Sequence, residues 1–147
     1  MKEIHRRIYE LVSKDRGIGQ VHLEWCDKEE KIVRMVFEDE WSWLDCFYSL
    51  VRLLGVELRH GRSHGIIYDL TASARIPEGL VLVAMEEWIW DPGGWKVDIR
   101  KMVVIGGGQQ MDEIFEMRRI MAPNTLQYFK RADTLDQAIK LIESWSQ

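Results

Sequence analysis

The chain has 147 residues and a mass of 17.4 kDa, the usual size of one domain. Hydrophobic residues make up 46% and charged residues 30%, which excludes general disorder because disorder needs low hydrophobicity. The net charge of −4 argues against nucleic-acid binding, since no basic excess is available to neutralise phosphates. Seven tryptophans stand out in so small an acidic chain.

The first predicted elements are a helix and a hairpin. Residues 2–14 carry apolar side chains at helical spacing and predict a short amphipathic helix. Val21–Trp25 alternates apolar and polar residues, as a strand with one buried face does. Asp27–Lys31 predicts a charged turn, and Ile32–Phe37 predicts a second strand because it is rich in β-branched residues. The two strands should form an antiparallel hairpin.

The next elements are a long helix and a buried strand. Ser42 is a predicted N-cap, and Asp45 stands where a capping box needs its carboxylate. A broad apolar stripe from Trp43 to Leu58 predicts the helix, which the polar loop Arg59–Ser63 should end. Gly65–Leu70 is almost wholly apolar, which predicts a strand buried on both faces.

The second half of the chain continues to alternate helices and strands. Pro77 and Glu78 suit the start of a helix, and Leu80–Trp90 favours a helix, although Val81 and Val83 also suit a strand. The later predicted elements are a strand at Met102–Gly106, a helix from Met111 to Met121 that Pro123 ends, a strand at Leu126–Phe129, and a helix that follows the Thr134–Gln137 capping box.

The predicted order is therefore α-β-β-α-β-α-β-α-β-α. Strands that alternate with helices indicate an α/β fold with a mixed, mostly parallel five-stranded sheet, flanking helices and an N-terminal β-hairpin at one edge. We expect residues 1–19 to form an N-terminal helix and turn, and residues 20–147 to form a single domain.

A hairpin followed by three helix–strand units and a C-terminal helix resembles the STAS fold of bacterial anti-sigma-factor antagonists and of the cytosolic domains of sulfate transporters. The stretches that carry the resemblance are Ile67–Thr71, Ile76–Leu80, Met102–Gly107 and Tyr128–Ala138. The resemblance covers residues 20–146. It implies a STAS-like, non-enzymatic protein-interaction module in bacterial regulation.

One departure from the STAS pattern concerns regulation. Antagonists of that family carry a phosphorylatable Ser or Thr at the start of the helix after the third strand, but Glu78 stands there in this chain. Thr71 and Ser73 lie close by but precede that position. We therefore expect a divergent domain without the phosphorylation switch, whose interaction surface includes Asp69, Thr71, Ser73 and Glu78.

Two strand ends resemble phosphate-handling sites but are incomplete. Asp69 is placed like the phosphoacceptor of a receiver domain, yet the acidic pair and the lysine that receivers need are missing, so we expect it to accept hydrogen bonds from turn amides. Gly106–Gly108 follows a strand but lacks the dinucleotide-binding and P-loop residues. Asp112 and Glu113 should lie in the first helical turn, where they would repel an anion.

Metal and nucleophile sites are also missing from the pattern. His60 and His64 are four residues apart, but Gly61 between them favours a loop, and no third ligand stands at a diagnostic spacing. Cys26 and Cys46 lie in apolar segments without an adjacent base and are predicted to be small core residues. We therefore predict no catalytic residue, no metal and no cofactor.

The tryptophans point to a partner. If Leu80–Trp90 is a helix, Trp88 and Trp90 point to opposite sides of it, and the sheet can cover only one. We expect this helix, with Trp95, to form a homodimer interface. Two alternatives stay open: the helix at residues 2–14 covers the second side, or the tryptophans line a pocket for a small apolar or lipid-like ligand.

The location of the protein is predicted from what its apolar segments lack. The first residues have no apolar stretch of the signal-peptide kind. The longest apolar run, Gly79–Met85, is far too short to span a membrane. We therefore expect a cytoplasmic protein with no membrane span.

Overall fold

A computed structural model of the chain describes residues 20–61, 65–77, 101–121, 123 and 129–145. Its strands are β1 (Val21–Trp25), β2 (Ile32–Phe37), β3 (Gly65–Leu70), β4 (Lys101–Gly106) and β5 (Phe129–Ala132), and its helices are α1 (Trp43–His60), α2 (Gly108–Met121) and α3 (Leu135–Ser144). They form an α/β fold with one five-stranded mixed sheet, as predicted. The predicted helices at residues 2–14 and 80–90, and with them the N-terminal unit 1–19, lie outside the described residues.

The strands lie in the sheet in the order in which they occur in the chain, β1-β2-β3-β4-β5. β1 and β2 pair antiparallel, which confirms the hairpin, and the other three neighbouring pairs are parallel. Asp27 shapes the hairpin turn, since its Oδ1 accepts hydrogen bonds from the backbone N–H of Lys31 at 2.9 Å and of Ile32 at 3.0 Å. Because β2 to β5 run parallel, their carboxyl ends lie at the same end of the sheet.

One face of the sheet packs against α1 and α2. Its buried side chains include Cys46 and Leu53 from α1 and Met111 and Ile114 from α2, together with alternate residues of all five strands. A row of aromatic rings crosses this face, with centroid separations of 4.6 to 6.4 Å: Trp41, Phe37, Tyr68, Phe129 and Phe115. Rings at these separations stabilise one another beyond the apolar area that they bury.

The other face packs against α3. Ala138 and Ile142 of α3 are buried against Ile67 of β3 and Val103 of β4. α3 contacts β3, β4 and β5. Because β3 is covered on both sides, all six of its residues are buried, as its apolar sequence predicts.

Both predicted capping boxes have structural counterparts. At α1, Ser42 Oγ accepts from the N–H of Asp45 at 3.2 Å, and Asp45 Oδ2 accepts from the N–H of Ser42 at 2.8 Å, which confirms the motif. At α3, Thr134 Oγ1 accepts from the N–H of Gln137 at 3.2 Å. Gln137 Oε1, however, accepts from the N–H of Asp133 and not from that of Thr134.

Three predicted boundaries were wrong. α1 runs on to His60 and ends at Gly61, whose φ of 91° suits only glycine. α2 begins at Gly108, before the first apolar residue that marked it. β5 runs on to Ala132, beyond its predicted end at Phe129, because Lys130 and Arg131 are exposed and apolar residues therefore do not mark its extent; residues 126–128 lie outside the described residues.

The approach of α3 to β3 depends on Gly65. A Cβ at this position would lie 2.7 Å from Cγ2 of the buried Ile142. We expect Gly65→Ala to lower the free energy of unfolding by about 1–3 kcal/mol through overpacking. In an Ile142→Ala background, Gly65→Ala should hardly change the free energy of unfolding, because the added methyl group then has room.

Chemical denaturation of the wild type, the two single variants and the double variant measures how far the effect of Gly65→Ala depends on Ile142. Gly55→Ala is the matched control, because Gly55 lies in α1 with nothing within 4 Å of its would-be Cβ. It should raise the free energy of unfolding by up to about 1 kcal/mol. Equal losses from Gly65→Ala in both backgrounds would contradict the packing explanation.

Candidate functional site

The candidate site lies where the parallel strands end, and Asp69 is its anchor. Asp69 is 4% exposed and is the last but one residue of β3. Its Oδ2 accepts hydrogen bonds from Arg34 of β2, from Nε at 2.9 Å and from Nη2 at 2.5 Å. Its Oδ1 accepts from the N–H of Thr71 at 3.0 Å, so the predicted bond to a turn amide is present.

These bonds decide the ionisation of Asp69. Burial alone would raise the pKa of its carboxyl, but hydrogen bonds from Thr71 and Arg34 and the charge of Arg34 outweigh burial and hold the pKa below its usual value. Arg34 also donates to Glu24 of β1. An acid–base–acid chain thus joins β1, β2 and β3 on the face of the sheet that carries α3, and a carboxylate so engaged is structural.

The turn after β3 is held by Ser73. Its Oγ accepts a hydrogen bond from Trp41 Nε1 at 2.8 Å and donates to the carbonyl of Arg75 at 3.1 Å. The backbone of Asp39, with a left-handed φ of 48°, pairs with the turn through the carbonyl of Ala72 and the N–H of Ala74. The Ser73 hydroxyl therefore shapes the turn and is not available as a nucleophile.

Gln110 of α2 clamps the far end of the turn. Its Oε1 accepts from the N–H of Ile76 at 2.8 Å, and its Nε2 donates to the carbonyl of Ile76 at 2.9 Å. The amide group therefore satisfies both backbone groups of Ile76, which is 4% exposed.

The glycine turn between β4 and α2 closes against the same segment. Gly106 has φ of 77°, and a Cβ there would lie 3.0 Å from the backbone of Leu70 and Thr71. Because α2 begins at Gly108, Asp112 and Glu113 lie beyond its first turn, so the prediction that they repel an anion from that turn was wrong. Asp112 instead pairs with Arg131 of β5. Gly106 and Gly107 therefore permit close packing, whereas a Cβ at Gly108 would have open space around it.

The surface of the site consists of small and polar side chains. Thr71, Ala72, Ala74 and Arg75 are exposed, and Ser73 is half-buried. Of the predicted interaction residues, Thr71 therefore lies on the surface and Asp69 lies beneath it, because its charge has to meet Arg34. Glu78, Trp88, Trp90 and Trp95 lie outside the described residues.

The described residues bring together no reactive group with an activating partner. Burial raises the pKa of both the Cys26 and the Cys46 thiol to about 12, so each is protonated at neutral pH. No three His, Cys, Asp or Glu side chains in the described segments are close enough to hold a metal ion. His60 ends α1, and His64 lies outside the described part of the chain.

Sequence reasoning missed Arg34, Trp41 and Gln110, the three side chains that hold the site. A signal was present for Arg34: it is the one charge in the apolar strand Ile32–Phe37, just as Asp69 is the one charge in Gly65–Leu70. Two lone opposite charges in neighbouring buried strands predict a pair, because neither is stable there alone. Nothing in the local sequence indicates the partners of Trp41 and Gln110.

Removal of the Asp69 charge tests the anchor. Asp69→Asn keeps an acceptor for Thr71 but leaves Arg34 with Glu24 alone, so we expect the free energy of unfolding at pH 7 to fall by about 2 kcal/mol. Because the folded pKa is lowered, the Asp69 contribution is complete above the unfolded pKa of about 3.9 and is lost as the pH falls through the folded pKa. The difference between wild type and variant should therefore shrink in acid.

Urea denaturation from about pH 7 down to about pH 2 measures this difference on the plateau and through the acid range where it is lost. Glu24→Gln is the control, because this partly exposed partner of Arg34 should contribute less than about 1 kcal/mol. A pH-independent difference for Asp69→Asn would show that the charge is not what stabilises the pair.

The Gln110 clamp gives a second, local prediction. Gln110→Ala leaves the buried backbone groups of Ile76 without partners, so the amide of Ile76 should exchange with deuterium at least about fivefold faster, as expected for a loss of about 1–3 kcal/mol. Gln110→Glu keeps the acceptor and should give a smaller change. The exposed neighbour supplies the control, Gln109→Ala, and equal effects of the two alanine variants would contradict the clamp.

Comparisons with known proteins leave the site to be interpreted from its own residues. No protein-family model matches the chain, and no curated protein matches it. Among the described helices, none combines the length and the apolarity that a membrane crossing requires. What the site offers is a firmly held turn with an exposed surface and, in the described segments, no assembled catalytic group.

Proposed function

We propose that the chain is a non-enzymatic, STAS-like protein-interaction module that acts as a homodimer in bacterial regulation. The described elements support the STAS-like part, since an antiparallel hairpin leads into parallel strands that lie in chain order, and α3 follows the last strand. The proposed surface for a regulatory partner is the turn after β3, with Thr71, Ala72, Ala74 and Arg75 on its exterior.

The observation that carries the proposal is how the turn is built. The Trp41–Ser73 bond, the Asp39 backbone pairing and the Gln110 clamp hold its main chain from three sides. A loop held this way loses little entropy on binding, which favours recognition by a partner. Every buried polar group in it serves the shape of the turn, whereas an enzyme would leave an acid, a base or a nucleophile free to react.

The homodimer part of the proposal rests on the tryptophans. Trp88 and Trp90, with Trp95, are the proposed interface, because aromatic side chains are enriched in interface cores. Trp88→Ala or Trp90→Ala should then weaken dimerisation more than folding.

Partner capture tests the turn surface. In an extract of the source cells, immobilised wild-type protein should retain at least one specific protein that Ala72→Arg loses, because an arginine on the turn blocks close approach. Ser144→Arg is the matched control, since it adds the same charge at an exposed position of α3. Loss with both variants, or retention with both, would contradict a partner site at the turn.

Native mass spectrometry of the freshly purified protein tests the choice of function. A species at twice 17.4 kDa with no added mass supports the interaction module. A monomer that carries a co-purified apolar or lipid-like molecule would instead support the ligand-binding function that the tryptophans also allow.

A further inference from the structure

β1 has a strand neighbour on one side only within the described residues. The hydrogen bonds from Cys26 N–H to Ile32 O at 2.9 Å and from Glu38 N–H to Gln20 O at 2.7 Å show that even-numbered residues of the first strand bond to β2. In an antiparallel ladder the alternate residues point the other way. The backbone N–H and C=O of Val21 and Leu23 therefore face away from β2.

The polar residues of β1 are self-complementary. His22 and Glu24 lie on the same face of the sheet, two residues apart, with Leu23 between them. If two copies of β1 pair antiparallel about a two-fold axis at Leu23, each His22 lies directly opposite the partner's Glu24. In this register all five residues of both strands overlap, and the outward groups of Leu23 bond to those of the partner's Leu23.

Exposure and electrostatics at β1 suit this pairing. The side chains of His22 and Glu24 are 33% and 52% exposed, so both are accessible across the strand. His22 lies 3.2 Å from Glu38, so its imidazole already has one carboxylate neighbour, and the partner's Glu24 would be a second. Opposite charges on facing strand residues stabilise a pair, and like charges destabilise it.

The other edge of the sheet has the opposite property. β5 has four residues, and its two central ones, Lys130 and Arg131, are both exposed cations. Any antiparallel pairing of two β5 strands about their centre places cations opposite cations. A short, basic edge of this kind is protected from strand pairing. Of the two edges that the described strands form, only β1 has the pattern that a second copy can match.

We propose that two copies of the chain associate through β1 and so form one continuous ten-stranded sheet. This inference rests on the proposed homodimer and gives it a contact at β1 that is separate from the tryptophan interface. The partner is a second copy because the His22 and Glu24 pattern of β1 complements itself.

A charge-swap experiment tests the pairing. His22→Glu alone places glutamates opposite one another twice in each dimer, and Glu24→Lys alone places a lysine opposite His22 twice. Each variant should weaken dimerisation by about tenfold, as two unfavourable cross-strand pairs imply. An equimolar mixture of the two should restore association, because in the mixed dimer the introduced glutamate faces the introduced lysine and the other facing pair is the native one.

Sedimentation equilibrium at protein concentrations up to about 100 µM measures the association, because small interfaces often have dissociation constants in the micromolar range. Gln109→Glu and Glu113→Lys are the matched controls, since they introduce the same residue types at exposed positions of α2. As a readout that needs no variant, the amide of Leu23 should exchange more slowly with deuterium as the concentration of the wild-type protein rises.

The outcomes separate the two proposals. Weakening by the single variants, restoration in the mixture and no effect of the controls support the β1 dimer. A wild-type dimer that neither variant weakens, with a Leu23 amide that does not respond to concentration, overturns the edge pairing and leaves the tryptophan interface standing. A wild-type monomer overturns both the edge pairing and the homodimer.

Discussion

The complete burial of β3 is the constraint on which the described structure depends. This strand lies in the middle of the sheet with helices on both faces, so every group on it must be satisfied by a neighbour. Gly65 meets the demand by having no side chain where α3 arrives. Asp69 meets it with two partners, Arg34 from the next strand and the amide of Thr71. A buried carboxylate without such partners would be strongly destabilising.

The same constraint explains the candidate site. Asp69 accepts a hydrogen bond from Thr71 at the start of the turn after β3. Further along the turn, Ser73 bonds to Trp41 and Ile76 bonds to Gln110. The polar groups of this region are engaged in shaping the main chain. A turn built in this way has a constant surface, which is the physical basis of the interaction module that we propose.

The two faces of the sheet differ in how they treat charge. The face against α1 and α2 is mostly apolar and aromatic, and its cations Arg118 and Arg131 lie over aromatic rings, whereas the α3 face carries the ion-paired chain Glu24–Arg34–Asp69 beside its apolar cluster. α3 contacts β3, β4 and β5, so these charges lie toward β1, the edge that we propose for self-association. Polar residues at that edge give register and specificity to a contact whose energy comes from backbone hydrogen bonds.

Much of the fold follows from local sequence. Alternation predicts β1, an apolar run predicts β3, and Ser42 with Asp45 predicts the start of α1, because each signal acts over a few residues. Boundaries fail where the apolar signal is absent, as at the end of β5, whose exposed Lys130 and Arg131 do not look like a strand.

Tertiary structure decided the long-range partners, and of these only the Arg34–Asp69 pair had a signal in the sequence. Arg34 and Asp69 are 35 residues apart, Trp41 and Ser73 are 32 apart, and Ile76 and Gln110 are 34 apart. Local propensity says nothing about which distant residues will meet, since that depends on the order of strands in the sheet. The sequence by itself therefore determined the elements and the presence of a turn after β3. Only the packed sheet decided that Asp69 lies beneath the surface of that turn and that Thr71 lies on it, because a buried carboxylate has to face its cation.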